Sequence, residues 1–245
     1  MRLDSYLSEK GLTKSRAAAA ALIKSRGVSV NGKIVEKCAF EVDDSDCVKI
    51  VGETLKYVGR GGLKLEKALL LGEIDLFGKI CLDIGASTGG FTDCMLQNGA
   101  ERVYAVDVGT NQLDEKLRRD NRVISLENTD IRDFFPDFEV DFIGADVSFI
   151  SLKLVLPHIF RLLKADGKAA ALIKPQFEAG RGALSKKGVV NDEKTRLKIV
   201  EEIKSFAEEC GFSVIKTAVS PIKGGSGNIE YLMILEKKNE SVDHI

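Results

Sequence analysis

The stretch Leu82-Asp83-Ile84-Gly85-Ala86-Ser87-Thr88-Gly89-Gly90-Phe91-Thr92-Asp93 decides the fold. Its apolar beginning predicts a buried strand, and the glycines that follow predict a sharp turn that brings the backbone close to a ligand. The next strand-like run ends near Asp107, 22 residues after Gly85, where a carboxylate can accept hydrogen bonds from both hydroxyls of a ribose. A glycine loop followed by such an acid predicts a nucleoside pocket at the carboxyl end of a sheet.

The residues of the loop distinguish between the two cofactors that such a pocket can bind, NAD and S-adenosylmethionine. A dinucleotide site favours G-x-G-x-x-G, whereas this loop reads G-A-S-T-G-G. Asp83 would repel a pyrophosphate but suits the cationic amino-acid end of S-adenosylmethionine. The sequence therefore favours S-adenosylmethionine over NAD, with a purely structural loop without a ligand as a further alternative. Asp130 is expected either to accept a hydrogen bond from the adenine amino group or to cap a helix. The predicted cofactor-binding residues are Asp83, Gly85, Ser87, Thr88, Gly89, Gly90, Phe91, Asp107, Asp130 and Asp146.

Strand-like runs alternate with helical stretches on both sides of this loop. The predicted strands are Ile80–Ile84, Val103–Val108, Val123–Leu126, Phe142–Val147, Ala169–Ile173, Val214–Ser220 and Ile229–Leu235, and a long helix is predicted over Asp192–Glu209. Such alternation predicts an α/β, Rossmann-like fold with a seven-stranded, mostly parallel sheet. The connection between the last two runs is too short for a crossover helix, so these two strands should pair antiparallel.

A small basic segment precedes this body. Residues 1–60 carry 11 Lys and Arg against 8 Asp and Glu, a net charge of +3, while the rest of the chain carries 25 against 29, a net charge of -4. We predict a small N-terminal α/β domain over 1–60 and a larger domain over 61–245. The total of -1 excludes a globally basic nucleic-acid binder but not a local one.

The basic segment predicts a helix followed by a tight hairpin. Thr13 is expected to cap a helix over Ala17–Lys24, Gly27 to end it, and Asn31-Gly32 to form a two-residue turn. Its cationic side chains suit a phosphate backbone, although a solvated face is an equal alternative on charge alone.

The strings R-L-D, K-S-R and G-V-S-V-N-G-K in residues 1–60 resemble the RNA-binding module named after ribosomal protein S-four. The resemblance implies binding to structured RNA. The glycine-rich basic loop Ala179–Gly188 is either a second contact with RNA phosphates or a solvated loop. The predicted RNA-binding residues are Arg2, Lys14, Ser15, Arg16, Lys24, Arg26, Asn31, Lys33, Arg60, Arg181, Lys186 and Lys187.

Three charged residues lie at strand ends on the same edge as the glycine loop. They are Asp146, Lys174 and Glu230. Lys174 follows an apolar run, where a buried ammonium needs counter-ions, and the two carboxylates suit that role. Each residue alone is an ordinary charge at a strand end, but together with the loop they predict a catalytic group.

These residues, with Lys64 upstream, resemble the Lys-Asp-Lys-Glu tetrad of FtsJ-like ribose 2′-O-methyltransferases. The strings R-G-G-L-K, L-D-I-G-A-S-T-G-G-F-T-D, D-V-S-F-I-S-L, I-K-P-Q-F-E and K-G-G-x-G-N-x-E-Y are similar, in this order, to those of the TlyA (hemolysin A) family. The resemblance covers nearly the whole chain and implies 2′-O-methylation of cytidine in ribosomal RNA. Lys67 is an alternative to Lys64. Ser87 and Phe91 depart from the wider FtsJ-like pattern, so the resemblance implies little about guanosine or uridine substrates.

The chemistry explains these residue types, because a ribose hydroxyl is a poor acid. Lys174 would act as base or stabilise the forming alkoxide, Asp146 would orient it, and Lys64 and Glu230 would position the hydroxyl. Two histidines and scattered cysteines predict no metal site, and the absence of a long apolar run predicts a cytoplasmic protein with ribosomal RNA or ribosomal subunits as partners and no membrane partner. The alternative function is an RNA-binding ribosome assembly factor without methyltransferase activity. A membrane-lytic role, implied by the hemolysin name, is disfavoured.

Overall fold

The computed structural model describes residues 1–24, 27–50, 56–224 and 227–238, without the side chain of Arg181. The chain divides into two compact units, Met1–Lys56 and Tyr57–Ile245. The second unit thus begins four residues before the boundary expected from composition, because Tyr57 is buried in the core of the larger unit.

The N-terminal unit combines two helices with a small antiparallel sheet. The helices are α1 (Leu3–Glu9) and α2 (Arg16–Lys24), and the strands β1 (Val28–Val30), β2 (Lys33–Ile34) and β3 (Val48–Ile50) lie in the order β2-β1-β3. Leu3, Leu7, Ala19 and Ile23 from the helices share one apolar core with the buried valines of the sheet. The predicted hairpin turn is confirmed, since Asn31 and Gly32 both adopt positive φ values of 50° and 80°.

The predicted cap of helix α2 is wrong by two residues. The helix begins at Arg16, and the hydroxyl of Ser15 accepts a hydrogen bond from the N–H of Ala18 at 3.2 Å. Thr13 lies too far upstream to reach this first turn, and its hydroxyl instead donates to the carbonyl of Ser15. Ser15, which we predicted as an RNA contact, therefore has a structural role in starting the helix.

The larger unit holds the other elements of the described chain. Its strands are β4 (Ile80–Ile84), β5 (Arg102–Val106), β6 (Val123–Leu126), β7 (Val140–Ala145), β8 (Leu163–Ile173), β9 (Phe212–Val219) and β10 (Tyr231–Lys237). Its α-helices are α3 (Gly61–Leu71), α4 (Gly90–Gln97), α5 (Glu115–Arg118), α6 (Leu156–Leu162), α7 (Pro175–Glu178) and α8 (Glu193–Glu209), and 3-10 turns occur at Ile131–Asp133, Leu152–Leu154 and Arg181–Ala183.

The seven strands form one sheet in the order β6-β5-β4-β7-β8-β10-β9. The first five are parallel, and β10 pairs antiparallel with both β8 and β9, which confirms the predicted mostly parallel sheet. Apolar clusters cover both faces. Strand β4 lies where the chain order reverses, so the glycine loop after β4 and the loop after β7 meet at the edge where ligands bind in such sheets.

Candidate active site

The loop between β4 and α4 requires glycine at two positions. Gly85 has a φ of +82° and Gly89 a φ of +94°, a region that L side chains rarely adopt. A Cβ on Gly85 would lie 2.9 Å from the carbonyl oxygen of Asp146, so the loop packs directly on the backbone that follows β7. The glycines therefore bring two segments of the site into contact.

A cavity of about 440 Å³ lies beside this loop, between the carboxyl ends of β4 and β5. Asp107 lines it and also accepts hydrogen bonds from the N–H groups of Ser87 and Gly109, both at 2.7 Å. Asp130 lines it as well, caps the 3-10 turn that follows, and forms an ion pair with Arg132 at 2.6 Å. Both interpretations of Asp130, the cap and the cavity contact, fit its position.

Asp83 lies behind the loop, away from the cavities at this edge of the sheet. It is completely buried, and one of its oxygens accepts hydrogen bonds from the N–H and the hydroxyl of Thr92 at 2.9 and 2.6 Å. Its other oxygen has no hydrogen-bond partner within the described part of the chain. Burial raises the pKa of Asp83 to about 7, although the hydrogen bonds from Thr92 oppose this rise. In the structure Asp83 holds the first turn of α4 and lines none of these cavities.

Three cavities meet at the loop after β7. The 440 Å³ cavity is joined by one of about 200 Å³ against the glycine loop and by a larger one of about 600 Å³. Asp146 and Ser148 line all three. Lys174 lines the 200 Å³ and the 600 Å³ cavities, and Lys64 and Glu230 line the 600 Å³ cavity. A group bound in any one of these cavities is therefore adjacent to the same two residues.

A continuous chain of ion pairs connects the four predicted catalytic residues. Asp146 forms an ion pair with Lys174 through Oδ1 at 2.6 Å and accepts a hydrogen bond from Lys64 through Oδ2 at 3.1 Å. Glu230 approaches Lys64 at 2.7 Å through Oε2. All four side chains are largely buried, with Asp146 the most exposed at 16%. Lys67, the alternative to Lys64, lies one helical turn on and lines a separate groove.

Electrostatics keep Lys64 and Asp146 ionised. Burial by itself disfavours an ammonium, but the carboxylates of Asp146 and Glu230 outweigh it and raise the pKa of Lys64 above its ordinary value. Burial likewise disfavours a carboxylate at Asp146, but Lys174 and Lys64 together hold its pKa below the usual range. Lys64 and Asp146 are therefore a lasting cation and anion at neutral pH.

Sequence reasoning missed several residues of this site. Ser148 lies within hydrogen-bond distance of Lys174. Phe149 is 91% exposed, has a φ of +64° and packs against Phe177 with ring centroids 5.0 Å apart. Asn228 is buried and joins the loop before α8 to the turn before β10, accepting from the N–H of Val190 and donating to the carbonyl of Gly188. All three lie in the family-like strings, which were the only signal for them.

The predicted RNA contacts of the larger unit differ in position. Arg60 and Lys187 line the rim of the 600 Å³ cavity, and Lys223, which was not predicted, joins them. Lys186 is exposed beside them but does not line the cavity. The side chain of Arg181 lies outside the described residues.

In the N-terminal unit, two of the predicted RNA contacts share a buried carboxylate. Arg2 and Arg16 both pair with Asp4, at 2.8 and 3.3 Å. Asn31 uses its side-chain amide to hold Asp46 and Cys47. Lys14, Lys24 and Lys33 are exposed, and Arg26 lies outside the described residues.

The cavities fit S-adenosylmethionine in shape and donor set. The 440 Å³ cavity offers the carboxylate of Asp107 beside exposed apolar side chains, as an adenosine needs, and the glycine loop lines the adjoining 200 Å³ space. The two spaces join at Asp146 and Ser148, next to Lys174. A methyl donor lying across both would thus present its reactive group to the 600 Å³ cavity.

Comparisons with known proteins agree with this geometry. Residues 57–237 match the model of the FtsJ-like methyltransferase family, and residues 1–48 match the S4 domain. Hemolysin A of Brachyspira hyodysenteriae is 48% identical, over 95% of this chain and 98% of that protein. The 16S/23S rRNA (cytidine-2′-O)-methyltransferase TlyA of Mycobacterium tuberculosis is 40% identical, over 98% of this chain and 91% of that protein.

A solved structure similar over the whole chain is a candidate hemolysin from Streptococcus thermophilus. It has a TM-score of 0.77 and 46% identity, and the match covers 98% of this chain and 89% of that one. Within the described residues, no helix has the length and apolar character needed to cross a membrane.

Proposed function

Because the chain belongs to the FtsJ-like methyltransferase family and carries an S4 domain, we propose that it transfers the methyl group of S-adenosylmethionine to the 2′-hydroxyl of a cytidine in ribosomal RNA. One observation supports this most directly. Two lysines and two carboxylates, joined by ion pairs, lie where three cavities meet. Relatives named as rRNA (cytidine-2′-O)-methyltransferases support the choice of substrate.

The residues divide the work of activating a weakly acidic hydroxyl. S-adenosylmethionine, when bound, supplies an electrophilic methyl group on a sulfonium. Asp146 uses one oxygen for each lysine, and so fixes both amines relative to each other. Lys64, held between Asp146 and Glu230, remains an ammonium and donates to the ribose. Lys174 has a single carboxylate partner and accepts the hydroxyl proton, which contributes about 10²–10⁴-fold to the rate.

The surrounding surface suits an RNA strand. Arg60, Lys187 and Lys223 place three cations on the rim of the 600 Å³ cavity, and cationic side chains suit the phosphates of an RNA strand. The exposed lysines of helix α2 and its flanks give the N-terminal unit a second basic surface. We assign the first surface to the target nucleotide and its neighbours and the second to docking on structured ribosomal RNA.

The proposal is tested by incubating the full chain with S-adenosylmethionine labelled in its methyl group and with ribosomal RNA, isolated subunits or whole ribosomes. Label should enter RNA and, after digestion to nucleosides, appear in 2′-O-methylcytidine. Lys174→Met should lower the rate of incorporation by about 10²–10⁴-fold, and Lys67→Met, which alters a lysine outside the ion-pair chain, should retain it. RNA binding without label in any substrate would favour the assembly-factor alternative, and label in another nucleoside would refute the assignment to cytidine.

A further inference from the structure

The amine of Lys174 has one hydrogen-bond acceptor and one ion-pair partner, and both come from the loop after β7. Ser148 Oγ accepts a hydrogen bond from Lys174 Nζ at 2.8 Å, and Asp146 Oδ1 forms an ion pair with the same nitrogen at 2.6 Å. No other side chain pairs with this nitrogen among the residues that the structure describes. The side chain is only 9% exposed, so these two groups decide how the amine is oriented.

The hydrogen bond to Ser148 matters because a base must present a lone pair to the proton that it removes. A protonated lysine has three N–H groups, whereas a neutral amine has two and one lone pair. Asp146 holds the amine by charge, whereas the hydrogen bond to Ser148 is directional and selects how the amine is rotated. Lys174 lines both the 200 Å³ and the 600 Å³ cavities, so an amine oriented in this way can present its lone pair to the space where the methyl donor and the ribose would meet.

We propose that Ser148 is a positioning residue for methyl transfer: its hydroxyl accepts one N–H of Lys174 and thereby directs the lone pair of the neutral amine at the ribose hydroxyl. This inference rests on the function proposed above. Asp146 and Ser148, the two partners of Lys174, have different tasks. Asp146 carries charge and is shared with Lys64, whereas Ser148 is neutral and contacts Lys174 alone of the two lysines.

The transfer is balanced in atoms and charge. A bond forms between the ribose 2′-oxygen and the methyl carbon, the bond between that carbon and sulfur breaks, and its electron pair stays on sulfur. The hydroxyl proton moves to Lys174 Nζ. A neutral amine and a sulfonium thus become an ammonium and a neutral thioether. The new ammonium keeps its hydrogen bond to Ser148 and its ion pair with Asp146, so neither partner needs to move during the reaction.

The test compares three single variants of the full chain in steady-state and single-turnover methylation of the RNA substrate that the wild type uses. Ser148→Ala should lower kcat about 10- to 100-fold, while KM for RNA and for S-adenosylmethionine stays within about threefold. Ser148→Thr, which keeps the hydroxyl, should restore most of the rate. Ser151→Ala is the matched control: its hydroxyl lies on the same loop but donates to Glu178 at 2.6 Å, so kcat should stay near that of the wild type.

A double variant separates orientation of the lysine from a general effect on the loop. In a Lys174→Ala background, where no amine remains to be oriented, Ser148→Ala should cause no further loss of the residual rate. An equal loss in both backgrounds would overturn the inference, and so would a raised KM with unchanged kcat, which would indicate a direct binding contact. Melting curves by circular dichroism check that each variant is folded.

The two proposals fail differently. A wild-type chain that methylates no ribosomal substrate refutes the proposed function and this inference with it. An active wild type whose Ser148→Ala variant has an unaltered kcat refutes the inference alone.

Discussion

Replacement of Lys64 by methionine should strongly destabilise the larger unit. Methionine keeps the length and apolar character of the side chain but removes the cation between Asp146 and Glu230. Both carboxylates would then remain largely buried, one with a single partner and the other with none among the described residues. The loss should therefore exceed the effect of removing an exposed lysine.

The size of the expected loss in the free energy of unfolding follows from the contacts of Lys64 with Glu230 and Asp146. At an effective dielectric constant of about 20, the Coulomb attraction is roughly 6 kcal/mol for the 2.7 Å contact and roughly 5 kcal/mol for the 3.1 Å contact. Desolvation of the buried charges offsets most of this attraction. Breaking such a pair by removal of one partner typically costs about 3–5 kcal/mol, and we expect a loss of this size in the free energy of unfolding.

Urea unfolding followed by circular dichroism measures this loss, since the chain has no tryptophan. Lys67→Met, one turn along the same helix, is the matched control and should change the free energy of unfolding by less than about 1 kcal/mol. The double variant Lys64→Met/Glu230→Gln should be more stable than Lys64→Met alone, because it removes the unpaired charge. A Lys64→Met chain as stable as the wild type, or a double variant less stable than the single one, would refute this reasoning.

Three further predictions concern the cofactor loop, its buried acid and the N-terminal surface. Gly85→Ala places a Cβ 2.9 Å from the carbonyl oxygen of Asp146 at a φ of +82°, so calorimetry should show an affinity for S-adenosylmethionine at least about tenfold lower; an unchanged affinity would contradict the role of this turn. The pKa of Asp83 is raised to about 7, so the stability that its protonated form contributes is full below about pH 4 and is lost as the pH rises to about 7. The melting temperature of the wild type should therefore fall between pH 5 and 8 by more than that of Asp83→Asn. Equal falls would contradict the raised pKa. The double variant Lys14→Ala/Lys24→Ala should bind RNA more weakly in filter-binding assays. The slope of log affinity against log salt concentration should become shallower by roughly 0.7–0.9 for each phosphate that the protein no longer neutralises. An unchanged slope would mean that these lysines touch no phosphate.

Much of the fold was predictable because its signals are local. Apolar runs marked all seven strands of the large sheet, and only their ends differed. Strand β8 begins at Leu163, six residues before the predicted start, because the exposed polar residues that follow Leu163 hide the strand from an apolar pattern. The N-cap of α2 was missed because Thr13 and Ser15 are both suitable residue types, and only the position of the helix start distinguishes them.

The candidate site was predictable in its residue types but not in its contacts. The sequence determined a glycine loop, an acid after the next strand and two lysines with two acids for the site, because strand ends and turns leave local patterns. Only the tertiary structure decided that Asp83 lies behind the loop, that Ser148 contacts Lys174, and that Lys64 rather than Lys67 reaches the acids. Lys64 and Glu230 are 166 residues apart in the chain, and strand order and helix packing bring them to 2.7 Å. No local pattern encodes such a distance, because it depends on how every intervening element packs.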